Sequence, residues 1–314
     1  MRVPAKTLSA TLALAGAMGF SAAMAAPNWS GVPAKDVALF YPGQSSWEWV
    51  LTPSDHPGAD KFRGGKDCAA CHIGDEKSMG ALLVSGKKNE PTPIAGKPGS
   101  IDAKVQVEHD AQNFYVHIEF ADGSQPNAKM DNAYATKVTM MLDGGDVPEA
   151  NRAGCWGACH EDSAGMPSAG GSDRTMYLPK TRAHLTRQGG GDALVPADAL
   201  AKLKADGYEL EYWQARLNPG SPAVAENGII FDKREETKPT AVTAEATYSG
   251  GTWSVTLSRK LNAGPGFVAL VPGKRYTVAF AIHAGHTAKR FHYVSFERSM
   301  VLDQGTADFV AANK

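Results

Sequence analysis

The four cysteines of this 314-residue sequence fall in two short clusters, each ending in histidine. The first reads Cys68-Ala69-Ala70-Cys71-His72, and the second Cys155-Trp156-Gly157-Ala158-Cys159-His160. The first has the C-x-x-C-H spacing, which lets two thiols on one turn reach the two vinyl groups of a porphyrin. The imidazole that follows then lies under the ring as proximal iron ligand. The second cluster keeps the same order with one extra residue between the thiols. The spacing therefore predicts two c-type haems, bound covalently at Cys68, Cys71, Cys155 and Cys159, with His72 and His160 as proximal ligands. A short-loop disulfide or half of a zinc site is the other use of such thiols. The trailing histidines favour haem.

The amino terminus supports that choice through the compartment it specifies. Arg2 and Lys6 precede a short apolar stretch from Leu8 to Phe20, and Ala23-Met24-Ala25 forms a small-x-small cleavage pattern. The stretch falls short of the ~20 apolar residues a spanning helix needs, and no later segment approaches that length. Residues 1–25 are thus expected to be a signal peptide, and the mature chain an exported, periplasmic protein without a membrane span. Loss of Arg2 and Lys6 lowers the formal charge of −1 by two. A nearly neutral chain gives no basis for nucleic acid or anionic lipid as partner. The sequence contains no Gly-rich phosphate loop, nucleophile elbow or metalloprotease helix motif.

The elements that position these clusters fall into two regions. Residues 26–100 are rich in Pro, Gly, Ser and Lys, show little periodicity, and are expected to be an irregular segment organised around the first haem. Lys87–Ser100 reads as a linker. From 101 to 314 the period becomes two. Phe114, Val116, Ile118 and Phe120 share one face, and Asp110-Ala111-Gln112-Asn113 reads as the hairpin turn before them. Val138–Leu142, Tyr208–Leu217, Ala241–Tyr248, Trp253–Ser258 and Tyr276–Ile282 are further strands, and alternation from His292 to Arg298 continues the pattern. Pro196–Ala205 is the one clear helix. The expected fold is mainly β: an antiparallel β-sandwich whose long insertion after Asn151 carries the second haem.

Seven histidines remain beyond the two proximal ones, and His56, His283 and His292 are the candidate distal ligands among them. His56, in the irregular segment ahead of Cys68, has a short reach to the first iron. Met79 is its competitor, and a thioether in place of a second imidazole would raise the potential. His283 and His292 lie on or beside strands near the carboxyl end. His283 shares a face with the small Ala279 and Ala281, which leaves room for a flat cofactor. Met166 is the thioether alternative for the second iron. His109, His117 and His286 receive no ligand reading.

The pattern Trp253-x-Val255, Arg259-x-Leu261, Gly273-x-x-Tyr276-x-Val278-Ala279-Phe280-Ala281-Ile282-His283 and Arg290-Phe291-His292-x-Val294-Ser295 resembles the haem-binding domain of the ethylbenzene dehydrogenase gamma-subunit family, over roughly residues 100–305. That family includes haem subunits of dimethylsulfide dehydrogenase and related molybdenum enzymes. The resemblance implies a β-sandwich holding one haem near one end. It also implies a lysine near the last strands and a methionine as axial ligands, and His292 falls close to where that lysine would lie. Gamma subunits hold b-type haem without cysteines. With its two cysteine clusters this chain looks more like the dihaem c-type cytochromes that carry the domain.

The expected function is single-electron transfer in a respiratory chain, with redox partner proteins such as a membrane quinol oxidase. The alternatives are an electron-transfer haem subunit of a molybdenum oxidoreductase complex and a haem enzyme with an open iron site.

Overall fold

The computed structural model describes residues 27–45, 47–160, 176–184 and 193–314. The expected signal peptide and Met166 lie outside the described residues, as do the side chains of Cys159 and His160.

The fold is mainly β. Its strands are β1 (Lys35–Phe40), β2 (Ser100–His109), β3 (Asn113–Ala121), β4 (Thr136–Asp143), β5 (Cys159–His160), β6 (Met176–Tyr177), β7 (Leu210–Leu217), β8 (Val224–Ile230), β9 (Arg234–Glu236), β10 (Thr243–Ser249), β11 (Thr252–Lys260), β12 (Tyr276–Ala284), β13 (Tyr293–Val294), β14 (Arg298–Leu302) and β15 (Phe309–Asn313). Thirteen of them form one sheet in the order β10-β11-β3-β2-β1-β13-β12-β4-β7-β8-β9, with β14 beside β12 and β15 linking β14 to β2. Only the two pairings of β15 are parallel.

This sheet folds over on itself into a sandwich. Val116, Ile118, Val255 and Leu257 from one layer meet Val138, Met140, Trp213 and Phe280 from the other in a single buried cluster. Every second side chain along β2, β3 and β11 enters that core, as the period-two pattern required. The Asp110 side chain fixes the β2–β3 turn by accepting from the backbone N–H groups of Gln112 and Asn113, each at 2.7 Å.

The outward faces of β12, β4 and β7 are not bare either. Ala279, Met141 and Tyr212 pack under Val147, Ala150 and Ala158 of the insertion that carries the second cysteine cluster. The insertion begins with the short helix α5 (Pro148–Ala153), counted after the amino-terminal helices α1 (Trp47–Leu51), α2 (Ala59–Arg63), α3 (Cys68–His72) and α4 (Glu76–Val84). The helix α6 (Ala197–Ala205) comes last.

Three sequence expectations differ from the structure. The amino-terminal segment is not wholly irregular: it supplies four short helices, and β1 lies inside the main sheet between β2 and β13. Val37 and Leu39 of β1 enter the sandwich core, whereas Phe40 points the other way into a second apolar cluster. The stretch Lys87–Ser100 is packed rather than free. Buried Glu90 accepts from Arg290 and Tyr41, and the buried Lys97 ammonium sits 4.2 Å from the Tyr293 ring. Its Pro and Gly residues make turns, but Glu90 and Lys97 between them are buried. Finally, the alternation from His292 to Arg298 is broken. Ser295 ties its N–H and Oγ to the backbone of Phe280, and Phe296 and Glu297 bend out of the sheet between β13 and β14.

Asp143 closes β4 with its carboxylate accepting from the N–H groups of Asp146 and Val147. Burial pushes this carboxyl up to about 6, against the pull of those N–H groups. A folded pKa above the unfolded value means that the stability it contributes is complete below pH ~4 and is lost as the pH rises through about 6. An Asp143→Asn chain, which keeps the accepting oxygen, should match the parent near pH 4. It should exceed the parent by about 1–2 kcal/mol at pH 7 in urea unfolding. An equal gap at both pH values would refute the assignment.

Candidate haem sites

The first cysteine cluster forms a helical turn because Asp67 caps it: its carboxylate accepts from the Ala70 N–H at 2.7 Å. The turn is anchored to the sheet by Glu297, whose Oε1 accepts from the Ala69 N–H at 2.8 Å. Burial pushes the Glu297 carboxyl up to about 7, opposed by that N–H. Cys68 is buried, and desolvation raises its thiol well above the usual range, with Glu297 adding to the effect. Cys71 is exposed, and Cys68, Cys71 and Cys155 are in no disulfide.

Beside this turn lies a cavity of about 450 Å³, within the size range of cofactor pockets. Cys68, Cys71 and His72 line it from one side; His56 and Met79 line it as well, with Trp49, Phe62, Trp156 and Phe296 completing an aromatic wall. The rings of His56 and His72 have their centroids 6.0 Å apart. His56 Nδ1 lies 2.9 Å from the carbonyl of Val50, so it carries the proton and donates, which leaves Nε2 with its lone pair. A backbone carbonyl at the far ring nitrogen is the usual orienting partner of a metal-ligating imidazole. Each metal–imidazole bond spans about 2 Å, so two rings at this separation fit on opposite sides of one metal. The apolar lining, the paired thiols and the two imidazoles suit a c-type haem.

The second cluster stands at the wall of a different cavity, of about 390 Å³. Cys155, Ala158 and Met176 line it on the side of the insertion. Ala281, His283 and His292 line the opposite side, with Thr139, Met141 and Gln214 from the outward faces of β4 and β7. Burial pushes the Cys155 thiol up to about 12. The backbone of Cys159 and His160 is held as β5 against Met176 and Tyr177. His283 and His292 stack with centroids 4.8 Å apart and both approach the carbonyl of Lys289, at 2.9 Å each. Stacked on one side, the two rings offer one ligand between them rather than two. His283 Nδ1 is buried with no hydrogen-bond partner. Its imidazole is held neutral by burial and by the nearby His292 and Lys137. A buried imidazole nitrogen without a partner, beside a small-residue wall and a cysteine, also suits a haem.

Three histidines given no ligand reading have structural partners. His109 reaches Asp303, His117 reaches Gln106 and Ser254, and His286 reaches the Asp131 carbonyl. Sequence reasoning missed the basic and polar rim of the second cavity: Lys137, Gln214, Arg216 and Arg234. The positions of Lys137 on β4 and of Gln214 and Arg216 on β7 were legible, whereas Arg234 starts the short β9. Period-two alternation states which side chains share a face, but not whether that face meets solvent or a cavity.

A cysteine–histidine turn beside an aromatic cavity, docked on a β-sandwich, suits a haem-binding cytochrome, and the relatives of this chain are cytochromes c. A model of the ethylbenzene dehydrogenase family matches residues 223–295, which run from the start of β8 to just past β13. The chain is 36% identical to cytochrome c-552 of Stutzerimonas stutzeri over 95% of each chain, and it belongs to that cytochrome's family. It is also 29% identical to cytochrome c-551 of Rhodocyclus tenuis, over 86% of this chain and 92% of the other. A family 9 carbohydrate-binding module from Caldicellulosiruptor kristjanssonii overlaps 62% of this chain and 66% of its own, with a TM-score of 0.29 at 10% identity, too low to bear on function. Among the described residues, no helix is long and apolar enough to cross a membrane.

Proposed function

We propose that this electron-transfer haem protein is a periplasmic dihaem cytochrome c that passes single electrons between redox partner proteins. The observation that carries the reading is the presence of two separate cavities, each with a cysteine cluster in its wall and histidines within it. The first haem would be held by Cys68 and Cys71, with His72 and His56 as the imidazoles that would bind its iron. The second would be held by Cys155 and Cys159, with His160 on one side and His292 or His283 on the other. Bound haem supplies a one-electron Fe(III)/Fe(II) couple. The chain supplies ligation, burial and separation from solvent, and these tune the potential. The two imidazoles that line the first cavity, those of His72 and His56, could both bind one iron, which favours a carrier over an enzyme.

Intact mass and redox titration of the purified protein test this. The mature chain should carry two haem adducts and titrate in two one-electron steps. A Cys155→Ser/Cys159→Ser chain should lose one adduct, and a Cys68→Ser/Cys71→Ser chain the other. A single adduct in the parent would reduce the protein to a monohaem carrier. The match to the ethylbenzene dehydrogenase family supports a second reading, a haem subunit fixed in a molybdenum oxidoreductase. Co-purification of a molybdenum-containing subunit from native extract in constant ratio would select it.

A further inference from the structure

The two cavities share a wall, and that wall is the turn carrying the second cysteine cluster. Cys155 lines the second cavity, while the next residue, Trp156, lines the first. The indole packs on Phe40 and Phe296, with ring centroids 5.3 and 6.4 Å away. Phe296 in turn lines the first cavity and stacks on His72 at 6.2 Å. Cys155, Trp156 and Ala281 belong to the same apolar cluster as Cys68 and Phe62.

The turn is held in place by backbone contacts on both sides. Gly154 adopts φ +55, and a Cβ there would lie 2.9 Å from the Glu297 backbone nitrogen and 3.2 Å from the Ala279 Cβ. A Cβ on Gly157 would lie 2.5 Å from the backbone nitrogen of Ala150. The turn is therefore clamped between β12, the Phe296–Glu297 bend and α5. Arg152 of α5 adds a bond to the Lys66 carbonyl at 2.9 Å and lies over the Phe62 ring at 4.3 Å. The segments of the two cysteine clusters thus meet as one packed unit.

We infer that Trp156 is the bridge for electron exchange between the two haems: bonded through one peptide to an anchoring cysteine of the second, and packed in the wall around the first. The step is a single electron leaving a ferrous iron on one side and reducing a ferric iron on the other, with no bond made or broken. This rests on the dihaem reading above. An aromatic ring gives the electron a polarisable path where an aliphatic side chain leaves only saturated contacts. Trp156 is a positioning and coupling residue; it ligates neither iron.

The test compares Trp156→Leu and Trp156→Phe with the parent, using three measurements. Intact mass counts the haems. Magnetic resonance of the oxidised parent reads the spin–spin interaction between the irons. Flash reduction follows redistribution of the electron between the haems. The inference expects two adducts in all three proteins, a resolved spin–spin interaction in the parent, exchange slowed by about an order of magnitude in Trp156→Leu, and most of the rate retained in Trp156→Phe. Two adducts with an unchanged rate in Trp156→Leu would overturn the bridge while leaving the dihaem reading intact. Should Trp156→Leu lose a haem, Trp156→Phe and the parent decide. Absence of a magnetic interaction in the parent, or Trp156→Phe slowed as far as an aliphatic replacement would be, would overturn it. One adduct in the parent would remove the dihaem reading and the bridge together.

Discussion

Replacing Arg259 with leucine is expected to destabilise the folded chain by about 3–5 kcal/mol, because it leaves a carboxylate alone in the middle of the sandwich. Glu211 on β7 and Arg259 on β11 face each other from opposite layers, and both side chains are fully buried. Arg259 Nη1 donates to both Glu211 oxygens at 2.9 Å, and Nη2 donates to the Val268 carbonyl at 2.7 Å. Burial pushes the Glu211 carboxyl up and the Arg259 guanidinium down, and each charge opposes the shift of the other. Glu211 also accepts from the Trp213 indole at 2.6 Å and the Val268 N–H at 3.0 Å. Replacing both partners with leucine removes the stranded charge but leaves those two donors without an acceptor, at about 1–3 kcal/mol each. The double variant should therefore recover only part of the loss. Urea unfolding followed through the β-sheet signal measures both, and an Arg259→Leu chain within about 1 kcal/mol of the parent would show that the pair contributes little.

Replacing His56 with alanine is expected to convert the haem at Cys68 and Cys71 from low-spin to high-spin, with its optical and magnetic signals changing together. The geometry singles out His56: its ring stands 6.0 Å from that of His72, and its Nδ1 is held by the Val50 carbonyl. Met79 lines the same cavity, so the comparison variant is Met79→Ala, which should keep the low-spin signal. The reverse pattern would assign the ligand to Met79 and imply a higher potential. Neither change should alter the signals of the second haem.

The sandwich was legible because one face of each of its strands carries large apolar side chains at period two. Phe114 to Phe120, Trp253 to Leu257 and Tyr276 to Ile282 each state their inward face in the sequence, and the structure places them there. Strand β1 was hidden because it is buried on both sides. Val37 and Leu39 serve the sandwich, while Phe40 serves the apolar cluster of the first cavity, so the run Val37-Ala38-Leu39-Phe40 has no polar face to reveal the period. The cysteine clusters were legible from spacing alone. That their segments adjoin was not, because contact between residues near 68 and near 156 depends on how the chain returns at Phe296. Nothing local encodes that return. Only the break at Ser295, where a hydroxyl interrupts an otherwise apolar alternation, marks the place.

Strand β1 also ties the first pocket to distant parts of the sequence. Its partners are β2, sixty residues onward, and β13, near the far end of the polypeptide. Until β13 pairs with β1, the apolar cluster of Phe40, Phe62 and Cys68 lacks Val294 and Phe296. Closure of the sheet then buries Cys68 to 9% exposure. Long-range pairing of this kind forms slowly, because the loop must be closed before the contacts reward it. The first pocket is therefore complete only when segments from distant parts of the sequence have come together.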